Sequence, residues 1–162
     1  MEKIMLKQLL KEDITTLTPI MKEAFDRDYQ LHFHKGAGGP EGYDDGSFLR
    51  RWALNKNATS YTVRVKDVII GAVILWINER TKENMLGCIF LDVSYQDGGY
   101  GKQVWDKIEQ TYPDTLMWRT ETPGFSRRNH YFYVMKCGFH IVRIENPKDI
   151  VEANYIFEKK MR

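Results

Sequence analysis

The sequence predicts an α/β protein of the α+β kind, with a mixed, mostly antiparallel central sheet flanked by about four helices. The runs Val68–Trp76 and 85–91 are almost continuously apolar, which is typical of strands buried on both faces of a sheet. The polar segment 78–84 between them indicates a turn and an antiparallel pair. Apolar residues recur every three or four positions over 14–27 and 100–111, which predicts helices.

The amino-terminal third of the chain predicts a strand at 3–9 and then the helix over 14–27, for which Asp13 is the expected N-cap. Residues 28–46 break the helical pattern with a glycine-rich segment. A loop of that length in a compact protein is usually functional or disordered. A short helix around Phe48, Leu49 and Trp52 follows.

The remaining segments complete the order β-α-α-β-β-β-loop-α-β-α-β-β. A strand at 60–65 precedes the two apolar strands, and Pro113 ends the helix over 100–111. The carboxyl-terminal third predicts strands at 115–120, 139–144 and 153–157, and a helix over 127–136 that Gly138 ends.

Composition limits the classes of function. A chain of 162 residues is expected to form one domain, 1–162. A net charge of +2 is too small to indicate nucleic acid or a membrane surface as a partner. Cys88 and Cys137 are too few for a disulfide framework. Since we recognise no signal peptide and no membrane-spanning run, we expect a cytoplasmic protein, either a monomer or a homodimer.

The segment Gln96-Asp97-Gly98-Gly99-Tyr100-Gly101 lies between an apolar strand and a helix. Glycines let the backbone turn tightly and approach a ligand closely. Amide groups of the loop and of the first helical turn then converge with the positive end of the helix dipole. This arrangement suits a pyrophosphate, and Lys102 adds a positive charge just inside the helix.

Three phosphate-binding motifs compete for this loop. The P-loop requires Ser or Thr after Gly-Lys, where this chain has Gln103. The Rossmann motif requires a third glycine, and Val104 stands there. The acetyl-CoA motif, Gln/Arg-x-x-Gly-x-Gly/Ala, matches at every fixed position. Taken alone, the loop specifies only an anion-binding turn.

A second segment narrows the choice. Residues 128–139 read RNHYFYVMKCGF. They resemble the second signature of the GNAT superfamily of N-acetyltransferases, in which an Asn opens a helix, a Phe-Tyr pair lies along it and Gly-Phe ends it. The resemblance is good over residues 60–145 and is closest to a bacterial-type small acetyltransferase. A proline is frequent just before the loop in these proteins, and Val93 stands at that position here.

This resemblance implies a GNAT fold in which the fourth and fifth strands are splayed apart. It implies acetyl-CoA as the donor, no metal, and transfer of the acetyl group to a primary amine of a small molecule or peptide by direct attack on the thioester. The residues that it implies for the cofactor are the strand end Phe90 and Leu91, the loop residues Gln96, Asp97, Gly98, Gly99, Tyr100, Gly101 and Lys102, and Asn129.

The same resemblance implies that Tyr133 protonates the departing thiolate, although it lies five residues before Gly138 and the usual spacing of four falls on Val134. A carboxylate is expected to accept the amine proton. Asp92 directly follows the predicted strand 85–91, and Glu121 directly follows the predicted strand 115–120. The sequence does not choose between them.

Two further interpretations remain open. The irregular spacing of Tyr133 also fits a non-catalytic acyl-CoA sensor or interaction module on the same fold. His32 and His34 lack obvious third and fourth ligands for a metal and are interpreted as surface residues or substrate contacts. The amine acceptor is expected to be set by the loop at 28–46 and the first helices.

Overall fold

A computed structural model describes residues 1–161 of the chain. Its strands are β1 (Ile4–Gln8), β2 (Thr59–Val65), β3 (Val68–Trp76), β4 (Glu83–Leu91), β5 (Met117–Pro123), β6 (His140–Glu145) and β7 (Asn154–Lys160). Its α-helices are α1 (Ile14–Phe33), α2 (Tyr100–Thr111) and α3 (Arg127–Tyr131). Short 3-10 turns lie at Lys11–Asp13 and Val93–Tyr95, and π-helical turns lie at Leu49–Ala53 and Phe132–Lys136.

The strands form a seven-stranded sheet in the order β1-β2-β3-β4-β5-β7-β6. Strands β1 to β4 pair antiparallel as a meander, β4 and β5 pair parallel, and β7 pairs antiparallel with both β5 and β6. The predicted mixed, mostly antiparallel sheet and the predicted order of elements are therefore confirmed. Strand β3 and helix α2 have the predicted bounds, and the other elements differ by a few residues at their ends.

Helix α1 is the largest departure from the prediction, because it continues from 27 to Phe33. The added residues pack their rings against Phe125, which follows β5: the ring centroids of Tyr29 and Phe33 lie 5.8 and 4.8 Å from that of Phe125. The helix ends where His34 takes a left-handed conformation with φ of 63°. Tertiary packing thus extends the helix beyond the region of simple apolar periodicity.

Asp13 is the N-cap residue of α1, as predicted, but its side chain does not make the expected capping hydrogen bond. It closes the 3-10 turn Lys11–Asp13 that precedes the helix, and its side chain makes no hydrogen bond to the first turn of α1. The carboxylate instead accepts a hydrogen bond from the Leu10 amide at 2.8 Å and lies 3.5 Å from the Arg64 guanidinium. Asp13 therefore joins the start of the helix to β2.

Two apolar cores lie on the two faces of the sheet. One contains Trp105 of α2, Trp118 of β5 and Phe139, with the two indole rings edge to face at 5.2 Å. The other lies under α1 and the turn Leu49–Ala53, and includes Met21 and Leu49. Both cysteines are free thiols. Within residues 1–161, no helix combines the length and the apolar character needed to cross a membrane.

The glycine-rich segment after α1 contains only turns and bends, as predicted. It is nevertheless fixed to α1, because the Tyr43 hydroxyl donates a hydrogen bond to the Asp26 carboxylate at 2.5 Å. Lys22 pairs with the same carboxylate at 2.7 Å. The Tyr43–Asp26 contact therefore holds this segment against the carboxyl-terminal half of α1.

Replacing Trp118 by alanine is expected to lower the free energy of unfolding by about 3–5 kcal/mol, because it leaves a cavity beside Trp105. Trp118 is fully buried, whereas Leu116, two residues earlier, is 45% exposed. Leu116→Ala is the matched control and should change stability by less than about 0.5 kcal/mol. Urea unfolding followed by tryptophan fluorescence measures both, and equal effects of the two changes would contradict the assignment of this core.

Candidate active site

Strands β4 and β5 are paired only where they begin. Their parallel register covers Glu83 to Leu86 on β4 and Met117 to Thr120 on β5. Beyond that point β4 continues to Leu91, paired with β3 on its other edge, while β5 continues to Pro123, paired with β7. The two strands thus form a fork, and the facing edge of each presents backbone groups to the gap. This is the predicted splay of the fourth and fifth strands.

A β-bulge lies where the fork opens. On β4, Leu86 pairs with Leu75 and Cys88 pairs with Ile74, so Gly87 is an extra residue in the ladder. A Cβ on Gly87 would lie 2.6 Å from the indole nitrogen of Trp76, so the close packing there requires glycine. Bulges bend the strand that carries them and increase its twist. The bulge therefore turns the rest of β4 away from β5.

The glycine loop follows β4 and leads into α2. Within residues 1–161, no protein acceptor is in hydrogen-bond range of the amides of residues 97–102, and the first intrahelical bond of α2 runs from the Gln103 amide to the Gly99 carbonyl. Asp97 and Gly99 have φ of 61° and 87°, which turns the chain sharply. Six consecutive free amides at a helix amino terminus form an anion-binding site.

The Gln96 side chain fixes this loop to the end of β4. Its Nε2 donates to the Leu91 carbonyl at 2.9 Å, while its Oε1 is buried with no hydrogen-bond partner in the described chain. On the other side of the loop, the Asp97 carboxylate lies 3.5 Å from the Arg128 guanidinium of α3. Contacts on both sides therefore hold the loop between β4 and α3.

Two loop residues have particular packing roles. A Cβ on Gly101 would lie 3.0 Å from the Phe132 ring, so glycine lets α2 approach the segment after α3 closely. Lys102 is paired with Asp106 one helical turn further on, and this hydrogen bond raises the pKa of the ammonium above its usual range. Lys102 therefore stays protonated, and Asp106 of the same helix balances part of its positive charge.

The segment that carries Tyr133 is not a uniform helix. Helix α3 begins after Ser126, whose hydroxyl accepts a hydrogen bond from the Asn129 amide, and then widens into the π-helical turn Phe132–Lys136. The Cys137 amide donates to the Phe132 carbonyl at 3.1 Å, five residues back. A π-turn holds one more residue than an α-turn. It therefore accommodates the extra residue between Tyr133 and Gly138.

Tyr133 is buried next to the opening of the fork. It lies beside Thr120, the last β5 residue paired with β4, and the Thr120 hydroxyl donates to the Leu86 carbonyl at 2.9 Å. Burial raises the pKa of the phenol well above its usual range, an increase that the neighbouring Thr120 opposes. Burial likewise raises the pKa of the neighbouring Cys88 thiol to about 12. Both groups are protonated at neutral pH.

Asn129 and His130 border the β5 side of the fork. The Asn129 side-chain amide donates to the Thr122 hydroxyl at 3.0 Å. The Nε2 of His130 lies 3.0 Å from the Pro123 carbonyl, and its ring stacks on Tyr155 with centroids 4.2 Å apart. Because Nε2 donates its proton to that carbonyl, Nδ1 is the lone-pair nitrogen of the neutral ring.

The two carboxylates predicted from the sequence lie in different places. Asp92 follows β4 directly, and its Oδ1 accepts hydrogen bonds from the Ser94 amide at 2.9 Å and the Ser94 hydroxyl at 2.7 Å. Glu121 is exposed, and strand alternation puts it on the opposite face from Thr120 and Thr122. The structure therefore brings Leu91, the loop, Asn129 and Tyr133 around the fork and leaves Glu121 outside this group.

Sequence reasoning missed several residues of the fork. A glycine inside an apolar strand is a recognised signal for a bulge, and Gly87 carried that signal. Thr120 gave none, because a threonine in a strand is ordinary. Phe90 is present as predicted, but its buried side chain packs into the core under α1 and its carbonyl lies against Gly71 of β3, so neither is directed into the gap.

Comparison with known proteins agrees with this geometry. The model of the acetyltransferase (GNAT) family matches residues 19–139. The chain is also 44% identical over 77 residues to the uncharacterized protein YrkN of Bacillus subtilis strain 168. That match covers 48% of this chain and 42% of YrkN, so the chain spans less than half the length of this relative.

Solved structures share the fold over nearly the whole chain. The PaiA N-acetyltransferase of Thermoplasma acidophilum, in complex with coenzyme A, has a TM-score of 0.74 at 19% identity, covering 98% of this chain and 99% of its own. A Bacillus subtilis acetyltransferase in complex with CoA has a TM-score of 0.67 at 18% identity, covering 100% of both chains. At such identities the likeness establishes the fold.

The chain therefore belongs to the acetyltransferase (GNAT) family. The family description names acetyltransferases, so acetyl transfer is the activity to be tested for this chain. The resemblance noted from the residues around the loop and Tyr133 is confirmed.

The state of His130 can be measured directly. Burial lowers its pKa below the usual 6.5, so the ring is expected to be neutral at pH 7 with the proton on Nε2. The folded protein should lose stability as the pH falls below about 6.5, because the unfolded ring then binds a proton that the folded ring does not. Long-range nitrogen–proton NMR spectra report both pKa and tautomer, and a midpoint above 6.5 or a proton on Nδ1 would contradict this geometry.

Proposed function

We propose that this protein transfers the acetyl group of acetyl-CoA to a primary amine of a small molecule or peptide, by direct attack of the amine on the thioester. One observation carries the proposal: the free amides of residues 97–102 follow the unpaired end of β4, and buried Tyr133 lies beside Thr120, where β4 and β5 separate. An anion site and a proton donor beside one fork are what the proposed reaction requires.

The residues present fit coenzyme A. The amides of Asp97, Gly98, Gly99, Tyr100, Gly101 and Lys102 converge where a pyrophosphate would be held. A Cβ on Gly98 would meet only the Tyr100 ring, at 3.6 Å or beyond, so the outer side of the loop is open. Gln96 shapes the loop through its bond to Leu91. The unpaired edge of β4 supports backbone hydrogen bonds from Leu91 to the pantetheine arm, whereas the backbone of Phe90 is paired with β3. Asn129 would bind that arm from the other side.

Tyr133 is proposed as the general acid. The donor supplies an acetyl group activated as a thioester, and attack by the amine expels a thiolate that needs a proton. A phenol with a raised pKa holds its proton until a strongly basic group develops beside it. Because the π-turn absorbs the extra residue before Gly138, the spacing of five no longer argues against this assignment.

Asp92 and Glu121 are the proposed alternatives for accepting the proton of the amine, directly or through water. Asp92 is nearer to the fork along β4, whereas Glu121 is freely exposed beyond it. Asp92→Asn and Glu121→Gln distinguish them. Replacing the residue that accepts the proton should lower kcat roughly 10²- to 10⁴-fold, and replacing the other should change kcat little.

The role of Tyr133 predicts a selective loss of turnover. Tyr133→Phe should lower kcat by about 10²- to 10⁴-fold while acetyl-CoA binding is retained, because only the proton donor is removed. Tyr131→Phe is the matched control, since Tyr131 is 58% exposed in the same segment. Release of free CoA thiol measures turnover, and unchanged kcat in Tyr133→Phe would exclude Tyr133 as the acid.

The loop predicts a selective loss of cofactor binding. Gly99→Ala places a Cβ at φ of 87°, a conformation that costs an L-residue on the order of 1–3 kcal/mol. The loop should relax and disperse its amides, raising the Kd for acetyl-CoA roughly tenfold or more. Gly36→Ala is the matched control. It introduces similar backbone strain, at φ of 77°, but lies in the segment after α1 and outside the loop. Isothermal titration should show weakened binding for the first variant only; equal affinities would refute the assignment of the loop.

A further inference from the structure

Asp28 of α1 holds an incompletely satisfied carboxylate beside the fork. Its Oδ1 is buried without a hydrogen-bond partner in the described chain, and the side chain as a whole is 14% exposed. Oδ2 has no hydrogen-bond partner among residues 1–161 either, and it is the oxygen that retains contact with solvent. A buried carboxylate without donors is costly unless a cation or a hydrogen-bond donor completes it.

His32 does not complete it. The Nδ1 atom of His32 lies 2.8 Å from the Asp28 main-chain carbonyl and 3.4 Å from Oδ1. Nδ1 carries at most one proton, and the carbonyl is the nearer acceptor for it. The His32 side chain is only 6% exposed, which corrects the expectation of a surface histidine. His32 covers one side of the carboxylate and leaves its hydrogen-bonding capacity free.

Aromatic rings line the adjoining surface. Tyr29 and Phe33 lie 4.6 Å apart on α1, and both contact Phe125, which follows β5. All three rings are partly exposed. The packed segment after α1 closes the far side, since a Cβ on Gly38 would lie 2.7 Å from the Tyr29 ring. The result is a carboxylate at the edge of an apolar, aromatic surface.

This surface lies beside the end of β5 that borders the fork. Phe125, which both Tyr29 and Phe33 contact, follows Pro123, whose carbonyl lies 3.0 Å from the His130 ring. Asp28 therefore approaches the fork from α1, and its negative charge opposes the lowering of the His130 pKa by burial. A group held at Asp28 lies on the side of the fork opposite the glycine loop.

We propose that Asp28 binds the ammonium group of the acceptor and that Tyr29, Phe33 and Phe125 hold an apolar or aromatic group beside it. The acceptors are then primary amines that carry an apolar or aromatic substituent, because an ammonium is attracted both by a carboxylate and by aromatic faces. This assignment rests on the proposed function. Asp28 is a binding residue in it, and proton transfer is left to the groups already named.

The test uses 2-phenylethylamine as the probe, with 2-phenylethanol and 3-phenylpropionate as its neutral and anionic counterparts. NMR titration of the full chain, with and without CoA, measures each Kd. The wild type should bind the ammonium about 10- to 100-fold more tightly than the alcohol. Asp28→Asn should bind the two equally, and Asp44→Asn, which removes an exposed carboxylate of the neighbouring segment, should keep the preference.

Two results would overturn the assignment: no preference for the ammonium in the wild type, including no binding at all, or a preference that survives in folded Asp28→Asn. Should Asp28→Asn fail to fold, the wild-type preference and its retention in Asp28→Glu decide the question. Titration of acetyl-CoA is carried out separately. Failure of acetyl-CoA to bind would overturn the proposed function, whereas failure of the ammonium alone would overturn only the Asp28 subsite.

Discussion

The early end of the pairing between β4 and β5 is the constraint on which the rest of the site depends. Had the ladder continued past Leu86 and Thr120, the backbone groups of both strands would be mutually satisfied and the sheet would be closed. The bulge at Gly87 bends β4, and β7 holds β5 on its own course. The hydrogen bond from Thr120 to the Leu86 carbonyl fixes where the strands separate. The loop, α3 and α1 then border the resulting gap.

The two proposed binding regions of this gap differ in chemistry. On the loop side, the proposed recognition depends on main-chain amides and the helix dipole, which need only glycines in the right places. On the α1 side, the proposed recognition depends on side chains from separate segments, such as Asp28 and Phe125. A backbone site leaves a compact pattern in the sequence. A side-chain site assembled from distant segments leaves none.

This difference explains what could be predicted. The bounds of β3 and α2, the order of elements and the anion-binding loop follow from local patterns that one element carries by itself. The extension of α1 to Phe33 could not be predicted, because the rings that stabilise it contact Phe125 some ninety residues later in the chain. Asp13 occupies the predicted N-cap position, but residue type alone does not show that the Leu10 amide and Arg64 engage its carboxylate in place of the first helical turn. The role of Asp28 depends on that same extension.

The π-turn at Phe132–Lys136 has a consequence for comparing this chain with its relatives. Successive side chains of an α-helix are rotated by about 100° around its axis. An extra residue therefore normally changes the direction of the side chains on one side of it. Here the wide turn accommodates the fifth residue before Gly138, while Tyr133 follows Asn129 through α3. Counting forward from Asn129 therefore finds the phenol, whereas counting back from Gly138 finds Val134. An alignment anchored at the carboxyl-terminal end of this segment would place Val134 where the proposed acid Tyr133 belongs.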